Sequence, residues 1–412
     1  MENQIFILLA PHYNPASNGI MIFYQLGEQL RQLGHSAYYV PLNKQDFLLH
    51  LHLYPKDTLA QFIREYGDVP ANSIAILPDI TPSDILDELP SLRRVWFLAN
   101  KPLILTGLPV NYRPKDAVIA YSGCISKFYF NAFFNRKFED FNPLCESHQQ
   151  ECQSKHALIL IYFGKSRSNV ITRSMLNLIK KRNARVISIN RHFPSSREQL
   201  YKLLRSAKLL ISYDPFTNLN YESTLCGTPC FIADNYMGVN YSDYNIPLPG
   251  IFEDESLLDS YYSNGMGKVM LDKVWSTYRV STQDHLKTTS NLVTYLTGWF
   301  SLVDDAEKNP QMLSLLEIHN NLRLENDLLY YKTLGSKPAD PKLHNLILPE
   351  GIGDWIYHRF ERYRWFLYRD FYKYIVRQRP DKLAKNLFFY KKNRAARLQS
   401  RCLRQLKDLN IE

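Results

Sequence analysis

The chain has 412 residues, 45% of them hydrophobic and 13% aromatic, and because a single core rarely supports this length we expect two domains and an appendage. No apolar run approaches the roughly 18 residues that span a bilayer, and the N-terminus lacks the basic flank of a signal peptide, so we expect none. The six cysteines are scattered and include no C-x-x-C pair, which favours a reducing cytoplasm.

The net charge of +10 is concentrated at the C-terminus. Residues 355–412 contain 16 Lys and Arg against 5 Asp and Glu, a net charge of +11, which leaves the preceding residues near −1. A neutral body argues against nucleic acid as its partner and confines any anionic partner to the tail. We therefore predict that the body does not bind nucleic acid.

The first half of the chain predicts a parallel, doubly wound sheet. Apolar runs of strand length occur at residues 5–9, 36–40, 73–77, 94–97 and 117–121. A helix is predicted from Asn18 to about Leu33, where Gly34 ends it. The alternation of strands with helical stretches is typical of an α/β domain.

Polar side chains follow these strands at the positions where the chain leaves the sheet. They are His12, Asp79, Asn100, Lys101 and Ser122. The carboxyl ends of parallel strands meet at one edge, and the ligands of open α/β sheets bind outside that edge. For His12 and Asp79 a ligand contact competes with a capping or core hydrogen-bond role, which is the favoured alternative for Asp79 because Asp caps many helices.

A cluster of cysteine and histidine residues separates the two halves of the chain. Cys145, His148, Cys152 and His156 have the number of ligands that a zinc site needs, but the paired order of known zinc sites is absent. The cluster also lies in a segment rich in Glu, Gln and Ser, which is the composition of a linker. We therefore predict no metal site.

A second α/β unit is predicted from residue 156 onward. A strand at 156–163 ends in the segment GKSRSN at 164–169, and we expect this glycine and its basic neighbours to open a helix. A further strand at 184–190 is followed by a predicted capping box, Ser195-x2-Glu198, for the next helix.

Residues 207–233 carry the densest set of chemical signals. An apolar strand precedes Asp214, and a polar loop then leads into a short helix that Asn218 or Asn220 can cap. Glu222 lies in the first turns of this helix. A helix N-terminus at a sheet edge offers N–H groups to phosphate, and a carboxylate beside it can accept both hydroxyls of a ribose.

The spacing Asp214-x7-Glu222, followed by CGTP at 226–229, resembles the E-x7-E and EA-x-x-x-G-x-P region of GT-B glycosyltransferases, particularly the retaining type that uses nucleotide sugars. In this chain the first acid is Asp, and the intervening loop PFTNLNY has no glycine, so the sugar and the stereochemistry stay open. The resemblance implies two Rossmann-like domains and a nucleotide sugar that is a substrate, with no separate cofactor and no metal.

The resemblance implies a donor-binding set in the second domain. Glu222 is then the ribose ligand, and Asp214 is the carboxylate beside the sugar. Lys165 and Arg167 neutralise the donor diphosphate, whose negative charge grows as the glycosidic bond breaks. The other implied or candidate donor-binding residues are Gly19, Gly164, Asn190, Thr217 and Asn218.

The resemblance also implies that the first domain binds the acceptor at its facing edge. His12 and Asp79 are then the candidates to orient or deprotonate an acceptor hydroxyl. Together with Asp214 they make up the predicted catalytic set. The predicted acceptor is a lipid-linked or cell-surface glycan, as in capsule or lipopolysaccharide synthesis.

The C-terminal residues predict helices with two kinds of surface. Residues 310–334 have apolar side chains at heptad-like spacing, which suits either packing on the body or a dimer. After a linker at 335–353, residues 355–376 place aromatic side chains on one helical face and Lys and Arg on another. Pro380 breaks this helix, and basic residues continue through 381–409. This pattern predicts attachment to an anionic membrane surface, with a solvated or body-packed helix and nucleic-acid binding as alternatives.

We therefore predict an α/β fold of two Rossmann-like doubly wound domains (GT-B) with a basic helical tail, divided at 1–152, 153–305 and 306–412. The predicted function is that of a cytoplasmic glycosyltransferase at the inner face of a membrane. Two alternatives stay open: a sugar-nucleotide epimerase of the same shape, which needs no acceptor, and a nucleic-acid or scaffold protein without enzymatic activity.

Overall fold

The structure is a computed structural model of the chain. It describes residues 3–14, 17–43, 48, 51–54, 56–70, 72–89, 92–100, 110, 112–123, 125, 129–132, 134, 157–164, 171–190, 193–194, 196–233 and 246–333, with side chains described to residue 324 except at 83 and 84. The described residues all belong to one compact unit, Met1–Ser336. The predicted basic tail and the zinc-like cluster at 145–156 lie outside them.

The first of two parallel sheets in the described residues has six strands in the order β2-β1-β3-β4-β5-β6. Their bounds are β1 Ile5–Ala10, β2 Ser36–Pro41, β3 Ile74–Pro78, β4 Arg93–Leu98, β5 Ala117–Ala120 and β6 Phe130–Asn131. The strands are almost continuously apolar because both faces of the sheet are buried. Phe6, Ile7 and Leu8 of β1, for example, have no exposed surface.

The second sheet has five strands in the described residues, in the order β11-β10-β9-β7-β8. Their bounds are β7 Leu158–Tyr162, β8 Arg185–Ile189, β9 Leu209–Ser212, β10 Cys230–Ile232 and β11 Ile251–Phe252. Every strand pairing in both sheets is parallel. The sequence analysis predicted neither β6 nor β11, because each has only two residues and no periodic pattern.

Both sheets reverse their winding direction next to their first strand. The order places β1 between β2 and β3, and it places β7 between β8 and β9. At such a switch point the loops that follow the two central strands diverge and leave a crevice outside the carboxyl edge. The loops after β1 and β3, and those after β7 and β9, are therefore positioned to hold a ligand.

Helices connect the strands and cover the sheets. The α-helices of the described residues are α1 Asn18–Gln32, α2 Lys56–Leu59, α3 Ser83–Asp87, α4 Arg173–Lys181, α5 Arg197–Ser206, α6 Asn218–Leu225, α7 Leu258–Asn264, α8 Lys268–Gln283, α9 His285–Glu307 and α10 Pro310–Thr333. The apolar side chains of α1 that recur at helical spacing, including Ile22, Leu26 and Leu30, are buried in the core of the first sheet.

The buried face of α9 lies in the core of the first sheet. Leu292, Val293 and Leu296 belong to the same apolar cluster as β1 and β3, and Thr289 donates a hydrogen bond to Gln29 of α1. The domain division predicted from the sequence includes this helix in the second domain, 153–305. An apolar stripe predicts that a helix is buried but does not identify the core that covers it, which explains the difference.

The next helix, α10, packs on the body through one face. The guanidinium of Arg323 lies 4.8 Å from the centroid of the Trp299 ring, and its Nη1 donates to the backbone oxygen of Asp116 at 2.9 Å. Leu315 and Ile318 on another face of the helix are exposed. A dimer through residues 310–334 stays a prediction.

None of the described helices combines the length and hydropathy that a membrane span requires.

Candidate functional site

A cavity of about 1060 Å³ lies between the two sheets. The loops after β1 and β3 line it from the first sheet, and the loop after β9 with the start of α6 lines it from the second. These loops adjoin the two switch points. Strand order and cavity therefore identify the same edge of each sheet as the candidate site.

The cavity brings together most of the residues predicted from the sequence. Those that line it are His12, Gly19, Asp79, Asn190, Asp214, Thr217, Asn218 and Glu222. Gly164 lies directly against Asp214. Lys165 and Arg167 fall outside the described residues, and the assignment of all these residues to ligands stays a prediction.

Asp214 is held rigidly at the carboxyl end of β9. Its residue is 1% exposed, and its Oδ1 accepts a hydrogen bond from the backbone N–H of Phe216 at 3.2 Å. The backbone oxygen of Asp214 accepts from Ser212 Oγ and from Asn220 Nδ2, each at 3.0 Å. These bonds close the turn between β9 and α6 and fix the carboxylate in the wall of the cavity.

Gly164, two residues after β7, sets how closely the two loops approach. Its φ of +54° is unfavourable for a residue with a side chain, and a Cβ there would stand 2.4 Å from Asp214 Cβ and 2.5 Å from Asp214 Oδ2. Only glycine allows the backbone to lie this close to the carboxylate. Gly164 therefore positions Asp214, whether or not Asp214 contacts a ligand.

The helix α6 begins at the cavity with Thr217 as its N-cap. Thr217 Oγ1 accepts a hydrogen bond from the backbone N–H of Leu219 at 3.4 Å. The prediction of Asn218 or Asn220 as the cap is wrong, because both lie within the helix, and Asn220 instead uses Nδ2 to bind the preceding turn. The helix N-terminus directs positive partial charge towards the cavity, where it favours an anion.

Glu222, on α6, forms an ion pair that the sequence analysis missed. Its side chain is 3% exposed, and its Oε1 accepts a hydrogen bond from Arg197 Nη1. Arg197 is the first residue of α5, lines the cavity and keeps 25% of its side-chain surface exposed. Burial alone would lower the pKa of Arg197, but Glu222 and Tyr201 raise it above its ordinary value. The sequence did contain one signal for this ion pair. A cation in the first turn of a helix lies near the positive end of the helix dipole, which is unfavourable unless an anion lies nearby.

The predicted capping box before α5 is displaced by one residue. Ser196, rather than Ser195, is the N-cap, and its Oγ accepts a hydrogen bond from the backbone N–H of Gln199 at 3.2 Å. Adjacent serines have the same capping propensity, so the sequence alone does not choose between them. The shift matters because it makes Arg197 the first helical residue and places it at the cavity.

The start of α4 also differs from the prediction. The helix begins at Arg173 with Thr172 as its N-cap, whereas the sequence predicted that it opens at the segment 164–169. A hydroxyl that can accept from the helix N–H groups decides where the helix begins.

The first domain contributes His12 and Asp79, which follow β1 and β3. Both are partly buried and line the cavity. The turn that carries His12 is held by Tyr24, whose hydroxyl donates to the backbone oxygen of Pro11 at 2.9 Å. They line the cavity from the first sheet, and Asp214 lines it from the second.

The two walls of the cavity touch through aromatic side chains. The rings of Tyr121, after β5, and Phe216, after β9, meet edge to face with centroids 5.7 Å apart. Asn18 Nδ2, at the start of α1, donates to the Tyr121 hydroxyl at 3.3 Å. The loop that carries Asp214 is therefore connected to the first domain.

Two further predicted residues, Asn190 and Gly19, line the cavity at exposed positions. Asn190 is exposed, and it exchanges backbone hydrogen bonds with Phe193 at 2.8 and 3.2 Å, which closes a tight loop after β8. Gly19 is exposed, with no atom within 4 Å of the place a Cβ would take.

Within the described part of the chain, no group of three or more His, Cys, Asp or Glu side chains could hold a metal ion.

No protein-family model matches the chain, and no curated protein matches it. Solved structures to which it is similar include a glycotransferase of kitacinnamycin, with 9% identity and a TM-score of 0.40 over 71% of this chain and 99% of that one. A glycosyltransferase from Rickettsia africae has 13% identity and a TM-score of 0.43 over 72% and 98%. The catalytic domain of starch synthase IV from Arabidopsis thaliana, bound to ADP and acarbose, has 10% identity and a TM-score of 0.38 over 71% of this chain and 99% of that one. The two parallel sheets confirm the predicted α/β fold of two Rossmann-like, doubly wound units.

Proposed function

We propose that this protein is a glycosyltransferase that moves a sugar from a nucleotide-sugar donor to an acceptor hydroxyl. The observation that carries the proposal is the cavity between the two sheets, where the buried carboxylates Asp214 and Glu222 flank the N-terminus of α6. A helix N-terminus suits a diphosphate and a neighbouring carboxylate suits ribose hydroxyls. A nucleoside diphosphate is the ligand that combines both groups.

In the proposed reaction the acceptor oxygen bonds to the anomeric carbon, the bond from that carbon to the β-phosphate oxygen breaks, and the nucleoside diphosphate leaves. The acceptor proton passes to a base on the first domain, for which His12 and Asp79 are the candidates. Asp214 lies on the sugar side. Lys165, Arg167 and the α6 N-terminus are proposed to offset the charge that grows on the leaving diphosphate.

Nucleoside diphosphates are expected to stabilise the protein against heat, whereas the parent nucleosides stabilise it much less. A ligand at 100 times its Kd contributes about 2.7 kcal/mol to stability. Thermal unfolding with UDP, ADP, GDP, CDP and dTDP, each paired with its nucleoside, measures this difference. The diphosphate that binds identifies the nucleotide-sugar series for transfer assays, and no shift with any of the five contradicts the proposal.

We further propose a lipid-linked or cell-surface glycan as the acceptor and peripheral attachment to the cytoplasmic face of a membrane through residues 355–412. The support for this is the sequence of the tail, which carries a net charge of +11 and many aromatic side chains. Each basic residue at an anionic surface contributes about 1 kcal/mol. Aromatic side chains at the acyl boundary would supply the part of the attachment that salt does not remove.

Deletion of residues 355–412 is expected to release the protein from anionic vesicles without affecting nucleotide binding. Co-sedimentation with phosphatidylserine-containing and neutral vesicles, at low and high salt, measures the attachment, and the thermal shift with the active nucleotide checks the body. A shortened protein that sediments as well as the full chain, or that no longer folds, contradicts the membrane role.

A further inference from the structure

We propose that Arg197 is a positioning residue that restricts Glu222 to a single hydroxyl of the donor ribose. This inference rests on the proposed function, since ribose belongs to the proposed donor. A carboxylate that binds a vicinal diol in the usual two-pronged manner presents both oxygens to the two hydroxyls. In this protein the guanidinium of Arg197 contacts one of those oxygens, Oε1.

The ion pair is well placed to keep this orientation. Arg197 and Glu222 lie on two helices, α5 and α6, that begin with hydroxyl caps at Ser196 and Thr217. The Glu222 side chain is only 3% exposed, so its contact with Arg197 lies largely out of water. A charge-assisted hydrogen bond in such surroundings is stronger and more directional than a neutral one.

Each carboxylate oxygen can accept two hydrogen bonds, and Arg197 takes one of the two positions on Oε1. A ribose hydroxyl at the second position would share Oε1 with the guanidinium and form a weaker bond, and turning Oε1 fully onto the ribose would take it away from Arg197. A partly buried guanidinium that loses its counter-charge is unfavourable, because it has already lost much of its hydration. Oε1 therefore stays with Arg197 when the nucleotide binds. Oε2 is then the stronger acceptor for the ligand, and one ribose hydroxyl rather than both makes a full-strength hydrogen bond to Glu222.

The consequence is an unequal dependence on the 2′ and 3′ hydroxyls. Loss of the hydroxyl that reaches Oε2 removes a hydrogen bond to a charged group, which corresponds to roughly a 10- to 150-fold weaker Kd. Loss of the other hydroxyl is expected to weaken Kd by less than about 3-fold, since water replaces it. Two-pronged binding would instead make both losses large.

The test is calorimetric titration of the full-length protein with each ribonucleoside diphosphate that binds among UDP, ADP, GDP and CDP, and with its 2′-deoxy and 3′-deoxy forms. A loss of at least 10-fold for one deoxy form and under 3-fold for the other supports the inference. Similar losses for both, or none for either, overturn it and leave the proposed function intact. Absence of binding by every diphosphate, dTDP included, overturns both, and binding of dTDP alone overturns the inference.

The variant Arg197→Met frees Oε1 and is expected to reduce the difference between the two deoxy forms to under about 3-fold while nucleotide binding persists. Arg197→Lys keeps the positive charge and is expected to keep part of the difference. A purely structural role for Arg197 would weaken all three ligands equally, and this result would also overturn the inference. The wild-type titrations decide the question without any variant, so a failure of Arg197→Met to fold does not affect them.

Discussion

The variant Gly164→Ala is expected to lose about 2–5 kcal/mol of stability and to bind nucleotide more weakly than the wild type. A side chain at a φ of +54° costs about 1–2 kcal/mol. The new Cβ would also stand 2.4 Å from Asp214 Cβ, and overpacking of this kind costs typically 1–3 kcal/mol. The new Cβ would also stand 2.7 Å from Tyr162 Cε1, so relief of these contacts requires Asp214, Tyr162 or the Gly164 backbone to move. Urea unfolding and nucleotide titration measure the two effects.

Gly34→Ala is the matched control for this variant. Gly34 ends α1 with a φ of +86°, and no atom lies within 4 Å of the position that its Cβ would take. The control therefore carries the conformational cost of about 1–2 kcal/mol without the contact. Equal stability losses in the two variants, with unchanged nucleotide affinity in both, would show that the approach of Gly164 to Asp214 has no role in the site.

The central strands of both sheets were predictable because they are apolar on both faces. The apolar run at 5–9 corresponds to β1, Ile5–Ala10, and the apolar strand predicted before Asp214 corresponds to β9, Leu209–Ser212. Polar residues that directly follow such strands lie at the carboxyl edge by geometry alone, which is why Asp79 and Asp214 were expected at a ligand site. The prediction needed only local sequence and the parallel direction of the sheet.

The features that the sequence did not reveal depend on contacts between distant residues. Arg197 and Glu222 are 25 positions apart and meet because α5 packs beside α6. The position of α9 against the first sheet was not revealed for a similar reason, because an apolar helical stripe can be buried in more than one core. The N-caps Ser196 and Thr217 were missed for a different reason: neighbouring Ser, Thr and Asn residues compete for the same role, and small differences in backbone geometry decide between them.

Replacement of Glu222 is expected to reveal two separable roles, one in folding and one in binding. Glu222→Ala leaves Arg197 without its carboxylate, and the loss of one partner of a buried ion pair costs about 3–5 kcal/mol of stability. Glu222→Gln keeps an oxygen that can accept from Arg197, so its stability loss is expected to be smaller. Both variants remove the charged acceptor proposed for the ribose, and both are expected to bind the active nucleotide at least about 10-fold more weakly.

The double variant Arg197→Met/Glu222→Leu separates the two roles. Apolar side chains of similar size in place of a buried ion pair are often neutral or stabilising by about 1–4 kcal/mol, so the double variant is expected to recover most of the stability that Glu222→Ala loses. Nucleotide binding is not expected to recover, because the carboxylate is still absent. Urea unfolding and nucleotide titration of the wild type and the three variants make this comparison. Recovery of nucleotide binding together with stability would mean that Glu222 contributes only to the fold, and the ribose site would then have to lie elsewhere in the cavity.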